Sequence, residues 1–164
     1  MLAPEKFKEI LKNTPLIALD LLIYDDQGRA LLGLRTNEPG KGFWSVPGGR
    51  IYKDETLKDA FKRISSTELG ITLDPGKAQF EGIYEHFYEE NFFGENNIRT
   101  HYVTIGCGIN LSDPTQIRVN AQHNKYAFFT VKELLESKEV LENTKRFFSG
   151  DSDDLFVSLQ NRNF

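Results

Sequence analysis

The stretch that decides the fold is Gly48-Gly49-Arg50-x4-Glu55-x7-Arg63-x4-Glu68-Leu69-Gly70-Ile71. It opens on a glycine pair, which lets the backbone turn tightly and come close to a ligand. A helix over 56–69 should follow. Thr56-x-x-Asp59 can cap its start, and Gly70 can stop it in a left-handed conformation. Wound at about 100° per residue, that helix puts Glu68 between Leu57 and Phe61, with Ala60 and Ile64 on the same side. An apolar arc therefore carries a carboxylate. Burying that charge is costly unless a cation or partner offsets it. A hard divalent ion such as Mg²⁺ prefers oxygen ligands, and a bare Gly48 carbonyl could be one of them. The competing reading is a helix-end glutamate that frays to solvent or pairs with Arg63, and on the residues alone the two stand level.

Working outward, the segment 4–13 reads as a short helix, with Phe7, Ile10 and Leu11 at helical spacing. Pro15 ends it, and 16–24 reads as a buried strand that includes Asp20. Asp25-Asp26-Gln27-Gly28 is a hairpin turn into a return strand over 30–34. Residues 43–46 form a short strand running into Pro47-Gly48-Gly49, with Trp44 as core. Strands are expected over 80–87 and 102–109, joined by the polar loop 88–99. Thr130-x-x-Glu133 opens a further helix, and 143–148 reads as another. The order is strands, helix, strands, helices. It predicts an α/β (α+β) sandwich with a mixed β-sheet. Residues 1–149 read as a single domain, and 150–164 as an acidic C-terminal tail with the composition of a disordered segment.

Bulk composition removes several classes. The chain has 164 residues, 39% hydrophobic and 27% charged, with a net charge of −4. Such a chain can bury a core and offers no basic field for nucleic acid. The single cysteine, Cys107, forms no internal disulfide and no thiolate zinc site. No apolar stretch reaches a membrane span, and the N-terminus lacks the apolar run of a signal peptide. Asn110-Leu111-Ser112 matches a glycosylation sequon by chance on this reading. The expected setting is cytoplasmic, with neither nucleic acid nor membrane as partner.

The opening stretch resembles the Nudix box, G-x5-E-x7-R-E-U-x-E-E-x-G-U with U aliphatic. Gly49, Glu55, Arg63, Glu68, Gly70 and Ile71 are in register. Ile64 and Thr67 stand where the box has glutamates, and Ser65 stands where it has an aliphatic residue. The same departure is similar to the GDP-mannose mannosyl hydrolase branch. That likeness extends to Leu32-Gly33-x-Arg35-Thr36-Asn37, Lys53-Asp54-Glu55-Thr56-Leu57, His86-Phe87-Tyr88, Thr100-His101-Tyr102 and Gln122-His123. It covers roughly residues 1 to 149.

The resemblance implies a Nudix-type α/β/α sandwich and Mg²⁺-dependent hydrolysis of a GDP-sugar, GDP-mannose or GDP-glucose. Water attacks the anomeric carbon with inversion, and Mn²⁺ can replace Mg²⁺. The Gly48 carbonyl, Glu68 and Gln122 would hold the cation, and His123 would be the general base. Asp20, Arg35, Arg63 and Tyr102 would act near the leaving group or sugar, with Arg50 as a further candidate. Leu2 and Phe7 would lie near the guanine. A homodimer is implied as well.

The chemistry of these residue types is consistent with such roles. Inverting glycosyl transfer needs a base opposite the leaving group, and histidine accepts a proton near neutrality. Of three histidines, His123 lies in a polar stretch, Asn120-Ala121-Gln122-His123-Asn124, that reads as a loop. His86 and His101 read as packed beside aromatics. A guanidinium forks onto phosphate oxygens, and a tyrosine hydroxyl can donate to a developing anion. Two other readings stay open: a Nudix pyrophosphohydrolase attacking phosphorus, and a non-catalytic nucleotide-binding Nudix domain.

Overall fold

The computed structural model describes residues 3–118 and 123–150. The predicted Leu2 and Gln122 positions and the tail beyond residue 150 lie outside them.

Helix α1 (Pro4–Asn13) leads into strand β1 (Leu16–Tyr24), the axis of a seven-stranded mixed sheet. All nine residues of β1 pair in parallel with β6 (Thr100–Asn110), and β6 pairs antiparallel with the edge strand β5 (Gln79–Tyr88). On its other side β1 has two neighbours in succession. Residues Ala18 to Asp20 pair with the short β4 (Gly48–Arg50), while Tyr24 alone registers with Ala30 of β2 (Ala30–Arg35). Strand β2 then continues to β3 (Trp44–Ser45) and to β7 (His123–Phe129). The β2–β7 half of the sheet thus parts from β1 beyond that single register.

The period of two in β1 separates the two faces. Leu19, Leu21 and Ile23 point to one side, where α2 (Leu57–Leu69) supplies Ala60, Phe61, Ile64 and Leu69; all seven are at most 2% exposed. Helix α2 has the predicted ends. Thr56 accepts a bond from the Asp59 N–H, and Gly70 closes the helix at φ 71°. Leu57 departs from the expected arc: it is 55% exposed, because α2 packs only from Ala60 onward. The opposite face is partly covered by the C-terminal helices α3 (Val131–Glu136) and α4 (Glu142–Lys145), around a cluster of Leu32, Trp44, Val46, Leu134 and Val140. A capping box of Thr130 and Glu133 starts α3. The expected 143–148 helix is shorter than predicted, a single turn at Glu142–Lys145.

Two segments expected as turn or loop are strands. Gly48-Gly49 is paired backbone, and the stretch from His123 is a strand laid against β2 through six registers. In both, the local sequence is too polar or too small to show a strand pattern, and the long neighbour supplies the pairing. The β5 edge is covered rather than bare: the Asn143 Nδ2 donates to the Phe87 carbonyl at 3.2 Å and the Arg146 Nη1 to the Glu85 carbonyl at 3.0 Å. Among the described residues no helix is long and apolar enough to cross a membrane.

Candidate active site

Asp20 is the one acid in β1, and its register explains its place. It sits opposite Gly48 on β4 and Gly106 on β6, on the face away from α2. A Cβ on Gly48 would come within 1.9 Å of the Asp20 Oδ1, so the carboxyl occupies space that only glycine leaves. Desolvation pushes the Asp20 carboxyl up to about 7; Arg35 opposes that rise and the charge of Glu68 adds to it.

Around Asp20 opens a cleft of about 1100 Å³, lined by Phe7, Arg35, Gly48, Arg50 and Tyr102 among others. Six positions picked out from sequence therefore meet in one hollow of nucleotide-accommodating size. A register shift in β2 between Leu34 and Arg35 accompanies the turn of the chain into the cleft rim. The Arg35 Nε donates to the Pro39 carbonyl at 2.7 Å, which holds the guanidinium at the loop. The Arg50 guanidinium lies 4.1 Å over the Phe7 ring, and that ring meets Phe93 edge-on at 5.6 Å. Burial raises the Tyr102 hydroxyl pKa, with Arg50 and Arg35 pulling against it, so Tyr102 keeps its proton as a donor.

Glu68, His123 and Arg63 do not line this cleft. Glu68 is 5% exposed, so the helix-end carboxylate does not fray to solvent. Its Oε2 lies 3.1 Å from the His123 Nδ1, and the Tyr126 hydroxyl donates to its backbone carbonyl at 2.5 Å. The polar sequence around His123 predicts a loop; the residue is instead the first of β7 and fully buried, its ring against Gly33. With Glu68 ionised, Nδ1 carries the proton and Nε2 is the basic nitrogen. Arg63 is engaged elsewhere. Its Nε and Nη2 fork onto Glu55 at 2.6 and 2.8 Å, and Nη2 also donates to the Arg50 carbonyl at 2.8 Å. The box residues Glu55 and Arg63 thus clamp the strand that carries Gly48 to Arg50 onto α2. The pair lowers the Glu55 carboxyl, the Arg63 hydrogen bond being the main cause.

The donor set suits a divalent cation by its chemistry. Glu68 is a buried carboxylate whose charge acts on Asp20, Gly48 lies opposite Asp20 with its carbonyl as a further oxygen, and oxygen donors are what a hard ion takes. No cluster of three or more His, Cys, Asp or Glu residues is gathered among the described residues.

One cleft residue reads from sequence only as packing. His86, on β5, lines the cleft, is 4% exposed and meets Phe147 edge-on. Its alternation with Tyr84 and Tyr88 on the Asp20 face was the available signal. Burial, with Arg146 nearby, pushes its pKa down to about 4. Above pH 6.5 the ring is neutral in both folded and unfolded chains. Between 6.5 and 4 only the unfolded chain takes up the proton, so stability should fall as pH drops through that window, by about 3 kcal/mol in all. Urea melts across pH 4–7 should show this slope in the wild type and lose it in His86→Gln; equal slopes would remove His86 from the acid limb.

The comparisons with known proteins agree with this architecture. Residues 14–149 match the family model described as the NUDIX domain. The chain is 36% identical over 125 residues to the low-salt glycan biosynthesis protein Agl8 of Haloferax volcanii, covering 76% of this chain and 77% of that one. The fold is similar to a MutT NUDIX hydrolase from Burkholderia pseudomallei, with TM-score 0.68, 24% identity, and 83% and 97% of the two chains covered. It is similar also to a bifunctional NMN adenylyltransferase/ADP-ribose pyrophosphatase from Francisella tularensis, solved with AMP and a Mn ion. There the TM-score is 0.62 at 16% identity, over 85% of this chain and 44% of that one. The match across most of the chain, with the clamped glycine strand and its capped helix, shows that this protein belongs to the Nudix family of hydrolases.

Proposed function

We propose that the chain hydrolyses a GDP-sugar, GDP-mannose or GDP-glucose, to GDP and the free sugar by inverting attack of water at the anomeric carbon, with Mg²⁺ as the resident cation. The observation that carries this reading is the contact of Glu68 with His123 on a helix whose other motif positions, Ile64 and Thr67, bear no carboxylate. Attack at phosphorus favours several carboxylates gathered around more than one ion. Attack at carbon needs a diphosphate leaving group whose charge is neutralised, and a base for water.

The Gly48 carbonyl, Glu68 and Gln122 would hold Mg²⁺, or Mn²⁺ in its place, and the ion neutralises the diphosphate when bound. His123 is the proposed base: Glu68 orients the ring through Nδ1, Nε2 would take the proton of the attacking water, and the role requires the ring to reach the cleft that it does not line here. Arg35 and Arg50 meet the diphosphate, Tyr102 donates to the leaving group, and Asp20 accepts from the sugar. Arg63 acts on the same ground at one remove, by holding the Arg50 carbonyl. Phe7, with Leu2, stacks near the guanine. The likeness behind these roles also suggests a cytoplasmic homodimer. A relative named for glycan biosynthesis is in keeping with a nucleotide-sugar substrate.

Hydrolysis of GDP-mannose with Mg²⁺ in ¹⁸O-water tests the reading. Label is expected in the sugar, and activity should vanish with a chelator and return with added Mg²⁺. Label in the phosphate would replace the proposal with attack at phosphorus, and binding without turnover of any nucleotide sugar would favour a non-catalytic domain.

A further inference from the structure

Three polar side-chain atoms in the wall of the cleft make no hydrogen bond: Asn37 Oδ1, Ser45 Oγ and His86 Nε2. All three residues line the same hollow as Asp20. Ser45 is 5% exposed and His86 4%, so solvent does not serve them well. A buried polar atom left without a partner costs about 1–3 kcal/mol. A cost repeated along one wall points to a ligand that supplies the missing partners.

The C-terminal segment spans the cleft between two of these residues, Ser45 on β3 and His86 on β5. The Trp44 N–H donates to the Glu139 carbonyl at 2.8 Å and the Leu141 N–H to the Trp44 carbonyl at 3.1 Å, which ties the C-terminal segment to the strand carrying Ser45. Five residues beyond Leu141, Arg146 donates to the carbonyl of Glu85, beside His86. Residues 139–146 therefore run from the Ser45 side to the His86 side, and Thr144 lines the cleft between them.

The chemistry of these three residues differs from that of the cleft arginines. Arg35 and Arg50 offer charge for phosphate at the β2 and β4 rims. Asn37 and Ser45 are uncharged, and His86 is kept neutral by its burial. An amide oxygen, a hydroxyl and a neutral imidazole together can donate and accept, which suits an uncharged polyol and does not suit an anion.

We infer that Asn37, Ser45 and His86 form the subsite that reads the hydroxyl groups of the sugar, beneath residues 139–146; this rests on the nucleotide-sugar reading above. The three residues set which hexose is accepted, and the arginines hold the diphosphate whatever sugar it carries.

The test compares Ser45→Ala, Asn37→Ala, His86→Leu and His86→Gln with the wild type. Two readouts are needed: kcat/KM for GDP-mannose and for GDP-glucose, and the calorimetric Kd for GDP alone, with folding checked by thermal melts. Ser45→Ala, Asn37→Ala and His86→Leu should each lower kcat/KM by about 10- to 100-fold for the preferred sugar. The preference between the two sugars should narrow, and the GDP Kd should stay within about twofold. His86→Gln, whose amide can reach the place of Nε2, should recover part of the loss. Equal losses in GDP binding and turnover would overturn the subsite, as would folded variants that keep both rate and sugar preference. A wild type that turns over no nucleotide sugar would overturn the functional reading, and the subsite with it. A wild type active on GDP-sugars with indifferent variants would overturn the subsite alone.

Discussion

His123→Gln is expected to lower kcat by roughly 10²–10⁴, the range typical of losing a general base. The ring is fully buried, and its Nδ1 lies 3.1 Å from the Glu68 Oε2. A carboxylate at that distance fixes the tautomer, so the basic lone pair stands on Nε2. Glutamine can keep a hydrogen bond to Glu68 and fills similar space, but it accepts no proton near neutrality. The fold should therefore persist while the chemistry slows. KM should move little, because Phe7, Arg35 and Arg50, not His123, are the proposed contacts to the nucleotide. Steady-state kinetics with a melt as control checks this. A folded variant with unchanged kcat would take His123 out of the mechanism and leave its contact with Glu68 as packing.

The ends of α2 were legible because each is written locally, in Thr56-x-x-Asp59 and in Gly70. The β1 strand was legible from its length of apolar residues. Asp20, Arg35, Arg50, Tyr102 and Phe7 line one cleft, each at a fixed place in the strand and motif register, while Glu68, Arg63 and His123 stand outside it. What the residues did not show were pairings made by distant chain. Strand β4 is three residues, two of them glycine, and exists because β1 lies beside it. Strand β7 starts His123-Asn124-Lys125, a polar run that reads as loop until β2 is placed against it. Arg63 shows the same gap. Its spacing from Glu55 is part of the motif, but only the folded turn reveals that the two fork together and hold the Arg50 carbonyl. The unpartnered Ser45 and His86 atoms carry no sequence signature, because burial, not residue type, sets them apart.

Gly48→Ala should be nearly as damaging as loss of the base, through a single methyl group. The new Cβ would stand 1.9 Å from the Asp20 Oδ1, 2.8 Å from its Cγ and 3.0 Å from the Leu19 carbonyl oxygen. Gly48 is paired strand backbone with an ordinary φ, so alanine meets no conformational barrier there and the penalty is contact alone. Asp20 is short, and its backbone is fixed between β4 and β6. The carboxyl must swing away or β4 must retreat. Overpacking of this kind costs about 1–3 kcal/mol, or roughly 2–12 °C in Tm for a chain of this size. The catalytic loss should be larger, because a displacement of about 1 Å at reacting groups can cost 10²-fold. Both routes reach the site: one moves Asp20, the other moves the carbonyl proposed for the cation. Asp20→Ala in the Gly48→Ala background separates them. Removing the carboxyl relieves the clash, so Tm should recover while activity stays low. Thermal melts and kcat/KM on the two variants check this. A Gly48→Ala protein with wild-type Tm and rate would show that the glycine is not required by Asp20, and the close fit of that carboxyl would cease to explain the glycine pair.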